Sequence, residues 1–221
     1  MSCIEEMLAA GVDGIDFRIE NHGTHTDYED EYGYNEAVLA ECARRGSRDA
    51  ETIAKVRGEA YTKFLRKAKA LVASRGKQMR INLNIDWFRP DPPPPRRLAY
   101  PLNIDFEWRR WVEEGLLDEG ILRLYHLPFD SIFSDPVAAE MIAKCEGKGI
   151  PLVVNRYINP GYPEEFARVL EDKCFSGFVI YEAASFLRFQ DPPGCTVTNE
   201  VVRKICEMAG EKAARKGAET K

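Results

Sequence analysis

The strand-forming segments of this chain alternate between apolar and charged residues, and this restricts the fold more than any other feature. Across residues 12–20 a period of two puts Ile15, Phe17 and Ile19 on one side of a strand and Asp16, Arg18 and Glu20 on the other. Across residues 79–87 it opposes Ile81, Leu83 and Ile85 to Arg80, Asn82, Asn84 and Asp86. The apolar side calls for a covering layer, whereas charged groups driven into a dry sheet interface are costly. Central strands of a doubly wound sheet are covered on both faces and read as apolar throughout. One side of these strands is therefore expected to face helices, with Arg18, Asn82 and Asn84 on the other, polar side.

One unit recurs: a short β-rich run, a loop with turn residues, then an amphipathic helix. The strands are expected at 12–20, 79–87, 121–127, 151–157 and 177–182. The helices are expected at 35–45 and 50–74, at 106–117, after Asp135-Pro136, from Pro163 and at 199–214. A helical tail at 4–10 ends at Gly11, a residue that takes a left-handed cap readily. At Asp135-Pro136 the aspartate caps and the proline suits the first turn. Strands separated by crossover helices predict a parallel α/β sheet. The polar faces then predict a (β/α) barrel, whose interior turns polar toward the C-terminal mouth; an open α/β sheet is the alternative. A TIM barrel needs eight strands and typically about 250 residues. Residues 1–221 are thus expected to form a single, partial TIM-barrel-like domain with about five of the eight units. Its open edge is expected to be covered by a second copy of the chain or by a missing N-terminal segment.

The 31 basic and 36 acidic side chains leave a net charge of −5, which offers no footprint for nucleic acid or an anionic membrane surface. No apolar run approaches the roughly 18 to 20 residues of a membrane span, and residues 1–10 carry two glutamates where a signal peptide carries basic groups. A cytoplasmic location is expected for the chain as given, unless an upstream secretion signal is missing. The six cysteines form no close CxxC pair and are read as free, mostly packing thiols. No GxGxxG, Walker or GxSxG motif occurs. No cofactor is expected.

Several segments together resemble a known family. They are Gly11-Val-Asp-Gly-Ile-Asp-Phe-Arg-Ile-Glu-Asn-His22, Tyr32-Gly-Tyr-Asn-Glu36, Arg57-Gly-Glu-Ala-Tyr-Thr-Lys-Phe-Leu-Arg66, Arg75-Gly-Lys77 and Trp108-Arg-Arg-Trp-Val-Glu-Glu-Gly-Leu-Leu-Asp118. Over residues 4–190 the chain is similar to the C-terminal half of family 10-like glycosyl hydrolase-like proteins, bacterial TIM barrels taken to act on polysaccharides. The resemblance implies that the five units are strands four to eight, with a carbohydrate site at their C-terminal ends; it does not single out a catalytic pair.

Glycoside hydrolysis uses two carboxyl groups, about 5 to 5.5 Å apart for retention or about 6.5 to 9.5 Å for inversion. The eligible groups at polar strand ends are Glu20, Asp86 and Glu182. Asp16 lies about 13 Å deeper than Glu20 by strand rise and reads as a structural partner of Arg18 or Arg80. Candidate substrate contacts are Arg18, His22, His25, Asn84, Trp87, Tyr125, His126, Asn155 and Arg156. His22 and His25 form an isolated His-x-x-His on a loop, read as sugar contacts rather than metal ligands, and no metal is expected. Of Asn155 and Arg156 one should point inward; an inward arginine suits a carboxylated sugar, while the structural reading pairs it with Glu20 or Asp86. Trp108 and Trp111 read as packing.

The expected function is cleavage of a glycosidic bond in a poly- or oligosaccharide by paired carboxylates. The alternatives are a non-catalytic carbohydrate-binding or truncated, inactive barrel, and a sugar isomerase or aldolase. The last is disfavoured because no strand carries the inward lysine of a Schiff-base aldolase.

Overall fold

The computed structural model describes residues 1–18, 34–84, 104–123, 128–156, 159, 161–181, 186–190 and 194–219. The chain runs α1 (Ser2–Ala9), β1 (Gly14–Phe17), α2 (Glu36–Arg45), α3 (Ala50–Ser74), β2 (Gln78–Asn84), α4 (Trp108–Glu113) and β3 (Glu119–Arg123). It continues α5 (Ser131–Ser134), α6 (Pro136–Gly147), β4 (Leu152–Arg156), α7 (Tyr162–Glu171), β5 (Phe175–Ile180), β6 (Leu187–Gln190), β7 (Gly194–Val197) and α8 (Glu200–Glu219).

Strands β1 to β5 form one parallel sheet in sequence order, with no reversal. Each connection is a crossover, and right-handed crossovers between sequential neighbours put their helices on one side. The core has that form. Ile15, Met79, Ile81, Leu83, Leu122, Leu152, Val154 and Phe175 share one cluster with Leu65, Ala68 and Val72 of α3, Trp108, Trp111 and Val112 of α4, and Met141 and Cys145 of α6. Phe17 joins them edge-on to Phe64, 5.5 Å between ring centroids. The expected apolar side is thus the helix-facing side. The in-phase residues Ile121 and Val153, although buried, belong to the other face.

Local chemistry sets the helix starts. The side chains of Asn35 and Asp49 accept from the amides of Val38 and Thr52 at 3.0 and 2.7 Å, and Asp135 accepts from Val137 and Ala138 at 2.9 and 3.2 Å. Between α3 and α4, the indole Nε1 of Trp111 donates to Thr62 Oγ1 at 2.7 Å, with both residues fully buried. Asp118 ties α3 to the sheet: Lys69 is its ion-pair partner and the Met79 amide donates to it at 2.8 Å. Burial works against the Asp118 charge, but those two hydrogen bonds outweigh it and hold its carboxyl below the usual range.

Two features depart from the sequence reading. Leu187–Gln190 and Gly194–Val197 pair as an antiparallel two-stranded sheet beyond the fifth strand, where the sequence reading expected no strand. Cys42 and Cys145 are buried as packing thiols, but Cys3, Cys174, Cys195 and Cys206 are exposed. Helix α8 packs Ile205 against Tyr162 and Phe166 of α7, with Phe178 and Ile180 of β5 beside them. Among the described residues no helix is long and apolar enough to cross a membrane.

Gly58 lies in the middle of α3, where alanine ordinarily stabilises a helix by about 1 kcal/mol. Here a Cβ would lie 1.7 Å from the backbone oxygen of Asp105, whose amide donates to Ala54 at 3.0 Å. Gly58→Ala should therefore destabilise by about 1 to 3 kcal/mol. Gly147→Ala, which meets nothing within 4 Å, should be neutral or stabilising. Thermal unfolding of the two variants checks this reversal of sign.

Candidate functional site

Period-two alternation and the strand register together assemble the polar face. Asp16 of β1 pairs with Arg80 of β2, and Arg80 with Glu119 of β3. One step further along the strands, Asn82 pairs with Ile121 and Ile121 with Val153. The next step runs from Asn84 through Arg123 and Asn155 to Val179. The face is thus polar at its first two strands, with an apolar floor of Ile121, Val153 and Val179 beside it.

The C-terminal ends of the strands converge over this face. The guanidinium of Arg18, just past β1, lies 4.5 Å from the ring centroid of Tyr181, just past β5. Arg123 of the central strand lies 4.4 Å from the same centroid. In a flat sheet the first and last of five strands stand roughly 19 Å apart, farther than arginine and tyrosine side chains span together. The sheet is therefore curled toward its polar face, with Tyr181 gathering two guanidiniums from different strands.

The two described carboxylates on this face differ. Glu119, largely buried, forms an ion pair with Arg80 at 2.5 Å between Nε and Oε2, although that oxygen sits off the hydrogen-bonding direction. Asp16 is reached by solvent yet stands in a concavity dense with protein. Burial raises its carboxyl above the ordinary value, against the lowering by Arg80 and Arg18; Glu119 adds to the rise and Arg123 opposes it. Asp16 and Arg80 line a cavity of about 200 Å³ with Asp13, Gly14, Ile15 and Gln78. That is smaller than the about 300 to 1,000 Å³ of ligand pockets, so the cavity can extend a site but is too small to be one for an oligosaccharide.

Arg123, Asn82 and Asn155 are 1%, 6% and 4% exposed, and the Oδ1 atoms of both asparagines are buried without a hydrogen-bond partner among the described residues. Buried acceptors of this kind are rare and call for an explanation. Among the described residues no group of three or more His, Cys, Asp or Glu is arranged to hold a metal.

Of the residues singled out from sequence, Arg18 and Asn155 lie on the polar face, and Asn84 lies there by register. Arg156 does not. It follows Asn155 on β4, pairs in register with Ile180 and faces α7, where both its Nε and Nη2 donate to Glu165 at 3.1 Å. The asparagine is thus the inward residue of the two, and the arginine's partner among the described residues is Glu165. Glu20, Asp86, Glu182, His22, His25, Trp87, Tyr125 and His126 lie outside the described residues. The sequence reading missed Glu119 and Arg123. The period that places Ile121 inward places both beside it, but the apolar pair Ile121-Leu122 hides the phase.

The chain matches no protein-family model and no curated protein.

Asp16 and Asp118 should show opposite pH dependence. A carboxyl raised on folding makes the wild type lose stability, relative to Asp16→Asn, as pH rises from the ordinary value through the folded one. A lowered carboxyl does the reverse: the stability Asp118 confers is present above its ordinary value and is lost as pH falls through its folded one. Denaturant unfolding of Asp16→Asn, Asp118→Asn and the wild type between acid and neutral pH checks both signs. Arg156→Gln, which strands the largely buried Glu165, should cost about 2 kcal/mol or more, yet leave any ligand affinity of the polar face unchanged in a titration.

Proposed function

We propose that this chain is the larger part of a (β/α) barrel that cleaves a glycosidic bond of a poly- or oligosaccharide at the polar face of its sheet. The barrel reading is supported by five sequential parallel strands, helices packed on one side and curvature toward the other. The observation that carries the site is the meeting of Arg18 and Tyr181 over the polar face. Glu182 directly follows Tyr181 in sequence, Glu20 follows Arg18 by two residues, and Asp86 follows Asn84 by two. In sequence, three acidic residues thus follow closely on strand ends, two of which, those of β1 and β5, meet through Arg18 and Tyr181. A catalytic pair for a glycosidase needs that convergence. In this reading Glu20 is one member of the pair, and Asp86 or Glu182 is the other. The resemblance to family 10-like glycosyl hydrolase-like proteins points the same way.

The test begins with release of reducing ends from a panel of polysaccharides by the wild-type protein. Glu20→Gln keeps the shape of the side chain but removes its charge and its proton-transfer capacity, so turnover should fall by about 10² or more with affinity little changed. The same loss is expected for one of Asp86→Asn and Glu182→Gln. Full activity of Glu20→Gln would exclude it from catalysis. Binding of a glycan that the wild type never cleaves would make the chain a carbohydrate-binding barrel instead.

A further inference from the structure

We draw no further inference here: the strongest candidate, the cavity of about 540 Å³ between α2 and α3 beside Arg110 of α4, carries nothing, because its four lining arginines are already ion-paired with neighbouring glutamates and nothing in the structure shows what covers it.

Discussion

Strand register is the constraint on which the rest of the molecule depends. A one-residue slip in β2 would exchange Met79, Ile81 and Leu83 for Arg80 and Asn82 in the helix layer, because side chains alternate with a period of two. The cross-strand contact of Arg80 with Glu119 and the amide of Met79 donating to Asp118 both hold β2 to β3 in the observed phase. One set of residues therefore fixes the packing and the polar face together. The apolar side cannot be optimised without also deciding which charges meet on the other.

The distribution of legible and illegible features follows from the same periodicity. In β1 and β2 every apolar residue alternates with a polar one, so the faces could be read directly, and Ile15, Phe17, Ile81 and Leu83 pack against helices as expected. In β4 the run Leu152-Val153-Val154 is continuous and carries no phase. The side taken by Arg156 is settled by long-range pairing, including a register shift between Leu152 and Val153 opposite β5. Arg123 and Glu119 were hidden in the same way. The helix start at Asp135 was legible because capping is local chemistry; the caps at Asn35 and Asp49 were not singled out, although their helices were expected at 35–45 and 50–74. The β6 and β7 hairpin was not, since strands of four residues around Asp191-Pro-Pro193 give a weaker signal than the prolines between them.

The two sides of the sheet carry different kinds of energy. On the helix side Trp111, Leu65, Met79 and Leu122 are fully buried in well-matched apolar contact, and even the indole N–H finds the Thr62 hydroxyl. On the other side a carboxyl is held above its ordinary value, two amide oxygens are buried unpaired and two guanidiniums share one aromatic ring. The raised carboxyl and the unpaired amide oxygens cost stability, whereas the ring attracts each guanidinium. Local rules broken together in one place, beside a well-satisfied core, mark the polar face as the candidate site. Random surface polarity would leave the same groups in water, where their cost vanishes.

Curvature links the two sides. Helices packed along one face of a parallel sheet let it bend away from them, and bending brings the C-terminal ends of non-adjacent strands together over the opposite face. Arg18 and Tyr181 meet although three strands separate theirs in the sheet. The order of the strands thus does for the site what no local motif does. It takes residues 163 positions apart in sequence and sets them against each other, so the polar face is written in single residues on successive strands rather than in any contiguous stretch.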